Sequence, residues 1–258
     1  MMEILIICVV TFSAAILTFF SGFGLGTILT PVMLIFFPVE IAIAFTGIIH
    51  FSNNIFKLFI ISKSINIEVL IKFGGPAVLA SFIGSYLLFN INGSDIFYSI
   101  YLFGQQRNVT IIKFLVSVLL IIFSLIDLLP VLKNLKFNKK TLPIGGFLSG
   151  FFGGLTGNQG ALRSAFLIKM DLNKNIFIST TVVISTLVDF TRIGVYSTNL
   201  LKVDMNEYFV LGIFSVISGA LGSIIGNKLL KKMTIEAIRS IVAFLILILA
   251  SCLLMGII

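Results

Sequence analysis

The stretch Ser21-Gly22-Phe23-Gly24-Leu25-Gly26-Thr27 interrupts a long apolar region near the start of the chain. Apolar residues dominate both flanks, over positions 4–20 and 28–37. Glycine at every second position is a poor helix former, so we expect one helix to stop here and another to begin near Thr27. Unwound backbone at membrane depth is tolerated only where protein buries it or where it lines a wet cavity. Transporters place their binding sites at such breaks.

A second interruption has the same character. It reads Phe152-Gly153-Gly154-Leu155-Thr156-Gly157-Asn158-Gln159-Gly160-Ala161-Leu162-Arg163 and also lies inside an apolar region. Two broken segments at corresponding places in two halves are the sequence feature that best indicates a secondary-transporter site. We therefore predict that the two breaks together form one site.

The composition excludes a soluble fold. Of the 258 residues, 58% are hydrophobic and only 11% are charged, whereas a soluble domain has about 25% charged residues. The net charge of +8 then indicates basic cytoplasmic loops rather than nucleic-acid binding. The two cysteines and the single histidine favour neither a disulfide framework nor a metal site. Because no HExxH, GxSxG or paired-carboxylate pattern occurs, we expect no enzymatic activity and no cofactor.

The pattern of apolar runs predicts an all-α polytopic membrane protein with glycine-broken helical hairpins and about 8–10 membrane segments. The predicted segments cover residues 3–21, 27–37, 39–61, 70–90, 111–132, 142–156, 160–170, 174–198, 205–228 and 235–256. Gly74-Gly75-Pro76 predicts a kink near the start of the fourth segment. Residues 91–110 are polar enough to predict a loop.

The second half of the chain repeats the first. Gly24 aligns with Gly157, Asn54–Leu58 with Asp189–Ile193, and the pair Gly74 and Gly84 with the pair Gly212 and Gly222. We therefore divide the chain into a first membrane repeat over residues 1–110, a linking helix with a basic cytoplasmic loop over 111–141, and a second repeat with a final helix over 142–258.

The basic residues predict that the repeats are inverted. The strongest clusters, Lys133–Lys140 and Lys228–Lys232, should both be cytoplasmic. An even number of predicted crossings lies between them, and helix 111–132 then places the loop at 91–110 outside. The first repeat thus begins and ends outside the membrane, whereas the second begins and ends inside.

Intramembrane ionisable residues are costly and are therefore candidates for function. Arg163 lies in the first turn of the restarted helix, three residues after Gly160. Its guanidinium, the free N–H groups and the helix dipole together suit an anion; the alternative is that Arg163 snorkels to the interface. Asn158 and Gln159 bind substrate oxygens or satisfy unwound backbone. The predicted substrate-binding residues are Gly24, Gly26, Thr27, Asn158, Gln159, Gly160 and Arg163.

A second group of polar residues is predicted to act in coupling or gating. Asp189 and Arg192 are three residues apart on one helix and can pair. Protonation of Asp189 would then release Arg192, although a static pair explains the spacing equally well. Asn54 and Lys57 occupy the equivalent places in the first half, and His50 lies one turn earlier. A lone histidine is either a packing residue or a proton relay.

Both motifs resemble those of the TauE/SafE family of sulfite exporters. The resemblance rests on Gly22 to Gly26 with Pro31, and on Gly157 to Arg163 followed by Asp189 and Arg192. It implies transport of small sulfur-containing anions across a bacterial inner membrane, coupled to the proton gradient. Family members usually carry a glycine triplet and a proline in the second motif, where this chain has Asn158-Gln159 and Ser164. That departure leaves the substrate open.

We therefore expect a multi-pass protein of the bacterial inner membrane that carries sulfite, a sulfonate or a related anion by alternating access. An anion channel of the same fold and a non-transporting accessory protein are the alternatives. The expected partners are the anion, the lipid bilayer and protons for coupling, but no nucleic acid. The sequence leaves the oligomeric state open, a homodimer included.

Overall fold

Ten helices and one β-hairpin make up the described part of the chain. The computed structural model describes residues 2–19, 21–61, 64–88, 90, 95–129, 139–200, 206–229 and 234–257. The helices are α1 (Met2–Thr18), α2 (Gly26–Phe36), α3 (Val39–Ile60), α4 (Ile67–Leu88), α5 (Ile111–Leu128), α6 (Leu142–Thr156), α7 (Gly160–Leu167), α8 (Lys174–Leu200), α9 (Asn206–Leu229) and α10 (Ile235–Leu254). Short 3₁₀ turns cover Lys139–Thr141 and Ile168–Met170.

The helical membrane fold is confirmed. Among the described residues, four helices are long and apolar enough to cross a membrane, over Val39–Ile60, Ile67–Leu88, Lys174–Thr198 and Tyr208–Leu229. Four shorter apolar helices accompany them, over Met2–Thr18, Gly26–Phe36, Ile111–Ile122 and Ser240–Leu254. Large apolar side chains such as Phe82, Phe214 and Phe244 are more than half exposed. Such a surface is costly in water but suits contact with lipid.

Both predicted helix breaks are present. The first separates α1 from α2, and Gly22 and Gly24 adopt φ values of 77° and 82° within it. The second separates α6 from α7, and Gly157 has a φ of 80°. Glycine adopts this left-handed conformation without the steric cost that other residues bear, which explains its use at all three positions.

The predicted irregularity in α4 is a π-helical turn. It covers Leu70–Gly74 and directly precedes Gly75 and Pro76. Proline has no N–H to donate to the preceding turn, and its ring collides with a carbonyl there. A wider turn resolves this conflict without ending the helix.

Two glycine-lined contacts, which we call the seams, hold pairs of helices close together. In the first seam, between α4 and α6, a Cβ on Gly146 or Gly150 would overlap the backbone carbonyls of Phe73 and Ala77. In the second seam, between α1 and α9, a Cβ on Gly222 would overlap the carbonyl of Phe12. Small residues let helix backbones approach closely in membranes, where packing rather than water exclusion drives association.

The helix pairing follows the predicted repeats. The first helix of each predicted repeat packs against the last long helix of the other repeat, as α1 does with α9 and α6 with α4. In addition, α3 packs on α8, and α5 packs on α10. A two-fold relation between the halves would produce this exchange of partners. The opposite membrane orientation of the repeats stays a prediction, because most of the basic clusters used to assign it, including Lys133, Lys136, Lys231 and Lys232, lie outside the described residues.

The expectation of a loop over residues 91–110 is wrong for its described part. Strands β1 (Ile96–Leu102) and β2 (Gln105–Thr110) form an antiparallel hairpin. Phe103 and Gly104 both have positive φ, of 51° and 75°, as a two-residue hairpin turn requires. The Tyr98 hydroxyl donates to the carbonyl of Leu254, so the hairpin is attached to the end of α10.

Candidate functional site

The two helix breaks are in direct contact with each other. A Cβ on Gly160 would overlap the backbone carbonyl of Phe23. The Ser164 hydroxyl lies 3.2 Å from the carbonyl oxygen of Ser21 and 2.8 Å from that of Gly160. The unwound backbone of the first break therefore packs on the first turn of α7, which only a glycine at position 160 allows.

Arg163 joins the two breaks. Its side chain is 2% exposed. One terminal nitrogen donates to the Gln159 side-chain oxygen at 2.9 Å, and the other donates to the Gly22 carbonyl at 3.0 Å. Its Nε has no hydrogen-bond partner among the described residues. This burial inside the protein differs from the position that a snorkelling arginine would take.

Asp189 is the centre of a buried hydrogen-bond network. Its Oδ1 accepts from Gln159 Nε2 at 2.8 Å and from Arg192 Nε at 2.9 Å. Its Oδ2 lies 2.7 Å from His50 Nδ1 and accepts from Asn54 Nδ2 at 3.0 Å. The Asp189–Arg192 pair that the spacing predicted is thus present on α8. The network also brings α3 and the second break to the same carboxylate.

Gln159 connects this network to Arg163. Its side-chain oxygen accepts from Arg163 while its side-chain nitrogen donates to Asp189. The backbone carbonyl of Gln159 accepts from the Ser149 hydroxyl at 2.9 Å. The residue therefore links the arginine of the second break to the carboxylate of α8 through one amide, with its own backbone held from α6.

A small pocket lies between the first break, α3, α7 and α8. Lys57 and Arg163 both border it, and the Lys57 ammonium lies 5.3 Å from the centre of the Phe19 ring. That distance suits a cation–π contact. The lining residues are Thr18, Phe19, Gly22, Gly24, Asn54, Lys57, Arg163, Thr181, Val182 and Ser185.

The region around the pocket carries an excess of basic side chains. Among the described residues, the buried basic side chains of lysine and arginine are Lys57, Arg163 and Arg192, whereas the only buried carboxylate is Asp189. Burying a charge without a partner is costly. The pocket is therefore suited to a ligand that brings negative charge with it.

Several predicted binding residues lie near the pocket without lining it. The Thr27 hydroxyl donates to the Gly24 carbonyl at 2.6 Å. Asn158 donates to the Thr156 carbonyl at 3.2 Å. These contacts satisfy unwound backbone, one of the two roles that the sequence left open for Asn158. Gly26 lies beside the carbonyl of Gly157 and the methyl of Thr46, at 3.4 and 3.5 Å from the position of a Cβ.

Sequence reasoning missed some of the lining residues. Thr18 is the last residue of α1, Phe19 follows it, and Val182 and Ser185 lie on α8. The usable signal was the four-residue spacing of Thr181, Ser185 and Asp189, which places three polar side chains along one helix face. Within the described residues, no group of three or more His, Cys, Asp or Glu side chains is placed to hold a metal ion.

These features define a helical membrane protein in which two broken helices meet at a buried basic pocket, an arrangement typical of membrane transporters. A model of the protein family described as "Sulfite exporter TauE/SafE" matches residues 7–253. The chain belongs to this family, which is a family of membrane transporters. Comparisons with curated proteins and with solved structures give no match.

Proposed function

We propose that the chain is a secondary carrier of a small sulfur-containing anion, such as sulfite or a sulfonate, in a bacterial inner membrane. The observation that carries this proposal is the excess of buried basic side chains around a pocket between two helix breaks. A bound oxyanion would offset the charges of Lys57 and Arg163 that protein carboxylates leave unbalanced.

Three features of the pocket suit an oxyanion. The Arg163 guanidinium donates in a plane that matches two oxygens of one anion. The Lys57 ammonium is a compact charge without a fixed donor direction. Arg163 reaches the pocket from the first turn of α7, where the positive end of the helix dipole adds to its charge. Together they favour a small, singly or doubly charged anion over a cation or a neutral solute.

The Asp189 network supports a role in coupling. It places a histidine, a carboxylate and an arginine next to the pocket, and Gln159 connects them to Arg163. Proton uptake at Asp189 would weaken its hold on Arg192. We propose that His50, Asn54, Lys57, Asp189 and Arg192 link proton movement to the movement of the anion.

The burial of this network favours a carrier over a channel. Asp189 and Arg192 are 0% exposed and His50 is 1% exposed, so the network supports a closed barrier beside the pocket. A carrier saturates with substrate because each cycle needs a conformational change, whereas a channel of the same fold would conduct without saturation.

Sulfite flux into proteoliposomes tests the proposal. We expect Arg163→Gln to lower the flux at least 10-fold, because a charge-assisted hydrogen bond contributes about 1.5–3 kcal/mol. Arg163→Lys should keep part of the flux, since it keeps the charge but not the planar donor pair.

The matched control is Lys72→Gln, which removes a half-exposed charge away from the pocket and should leave the flux unchanged. Unchanged flux in Arg163→Gln would remove Arg163 from the site. Flux that never saturates would identify a channel, and the absence of any flux would favour an accessory protein.

A further inference from the structure

The pocket residues have counterparts in the other predicted repeat. Thr46, His50, Asn54 and Lys57 on α3 have the same spacing as Thr181, Ser185, Asp189 and Arg192 on α8. The alignment of the breaks adds two further pairs, Gly24 with Gly157 and Thr30 with Arg163. Six of the ten lining residues thus have a counterpart on the other side of the proposed two-fold relation, namely Gly24, Asn54, Lys57, Arg163, Thr181 and Ser185.

These counterparts also lie together. A Cβ on Gly157 would lie 3.1 Å from the Thr30 hydroxyl and 3.2 Å from Nη1 of Arg192. The hydroxyl and the guanidinium therefore border the same point. A Cβ on Gly47 would lie 3.4 Å from the central carbon of that guanidinium. Glycine at position 157 lets the backbone of the break approach the hydroxyl and the guanidinium more closely than a Cβ would allow.

Several buried polar atoms in this region of the fold have no partner among the described residues. The Thr30 and Thr46 hydroxyls and the Asn158 side-chain oxygen are buried, with no hydrogen-bond partner among the described residues. The three side chains are 0% exposed. Buried polar atoms nearly always have a partner, so the unpaired Thr30 hydroxyl beside a guanidinium points to a ligand that accepts hydrogen bonds.

We infer that Arg192, Thr30 and Thr46 form a second anion subsite beside Gly157, separated from the pocket by the Asp189 network. This inference rests on the proposed function and names a second station for the same small oxyanion. Nε of Arg192 donates to Asp189 Oδ1 at 2.9 Å, and Nη2 lies 2.9 Å from the same oxygen but forms no hydrogen bond among the described residues. Nη1 has a long 3.5 Å contact with the Gly153 carbonyl. Nη1 and the two hydroxyls supply the donors for the anion.

The second subsite binds more weakly than the pocket. Asp189 balances the charge of Arg192, whereas Lys57 and Arg163 border the pocket without a carboxylate in its lining. Transport requires binding that is strong enough for entry and weak enough for release. An anion would thus pass between the pocket, which binds it more tightly, and the second subsite, which binds it more weakly, on the two sides of the Asp189 network.

The test compares the two faces of the membrane. Uptake of radiolabelled sulfite is measured in right-side-out and inside-out vesicles, and the half-saturation concentration is determined for each face. Thr30→Val removes one donor at the second subsite and should raise this concentration about 10-fold at one face only. Ser185→Ala is the matched variant, because the Ser185 hydroxyl is also unpaired among the described residues and lines the pocket. It should raise the concentration at the opposite face only.

Thr30→Ser keeps the hydroxyl and should restore the wild-type value. Thr46→Val replaces Thr30→Val if the latter does not fold, with the same expectation. A shift by Thr30→Val at the same face as Ser185→Ala, at both faces or at neither overturns the second subsite while the proposed function stands. Wild-type vesicles without saturable sulfite flux would overturn both.

Discussion

Gln159 connects the two charged centres of the site, Arg163 and the Asp189 network, by hydrogen bonds. Its single amide accepts from Arg163 and donates to Asp189. The sequence suggested two roles for this side chain, substrate binding and satisfaction of unwound backbone. The structure shows neither of these contacts for the side chain, which instead pairs with two charged side chains.

Gln159→Leu tests this link. The substitution leaves Arg163 and Asp189 each without one hydrogen bond in a buried setting, where an unmet charged group is costly. We expect sulfite flux in proteoliposomes to fall about 10-fold or more. Gln159→Glu should also lose flux, because it places a second carboxylate beside Asp189. The control is Gln106→Leu, on the exposed strand β2. Equal flux in Gln106→Leu and Gln159→Leu would contradict the proposed role of Gln159 between Arg163 and Asp189.

Residue types at the site could be predicted more fully than residue contacts. Glycine at positions 22, 24 and 157 follows from the left-handed backbone of the breaks and is readable from the sequence. The Asp189–Arg192 pair follows from helical spacing. The contacts of Asp189 with His50 and Asn54 join positions more than 130 residues apart. No local pattern encodes such contacts, because they depend on how α3 packs on α8.

The seam between α4 and α6 is the element that depends most on glycine. Replacing a glycine in a helix by alanine usually stabilises the helix by about 1 kcal/mol. At Gly150 we expect the opposite sign, because the added Cβ would overlap the Ala77 carbonyl and push α4 from α6. The measurement is the Tm of the detergent-purified protein, which Gly150→Ala should lower.

Gly194→Ala is the matched control for this substitution. Gly194 lies inside α8, and nothing is within 4 Å of the position that its Cβ would take. The variant should therefore match or exceed the wild-type Tm. If Gly150→Ala has the same Tm as Gly194→Ala, α4 and α6 accommodate the added Cβ without loss of stability, and the prediction is wrong.

Helices were predictable as elements, and the hairpin was not. Long apolar runs ended by glycine, proline or charge indicate helices directly, and the observed bounds lie within a few residues of the expected ones. Strand β1 is rich in residue types that favour strands, such as Phe97, Tyr98 and Tyr101. The polar residues elsewhere in 91–110 suggested a loop, whereas these residue types and the Phe103-Gly104 turn indicate strands.

At the scale of the whole molecule, the inverted orientation of the repeats is the prediction to test. Single cysteines at Asp95 and Lys139, in a protein without Cys8 and Cys252, provide two exposed reporters. The charge distribution places residue 139 in the cytoplasm and residue 95 outside. An impermeant thiol reagent added to intact cells should therefore label position 95 alone.

Labelling after cell permeabilisation should reach both positions, which controls for reactivity. If both cysteines react in intact cells, or neither does, the two ends of the linking helix α5 lie on the same side. The inverted arrangement would then be wrong, although the contact between the two breaks would remain.

The seams also determine which helices can move together as rigid units. The helices α1 and α9 pack closely on each other, and so do α4 and α6. A large displacement within either pair would therefore break backbone contacts. Each unit therefore combines helices from opposite ends of the polypeptide. Cutting the chain between residues 129 and 139 would leave two fragments that each hold half of both units, so neither fragment should fold until it meets the other.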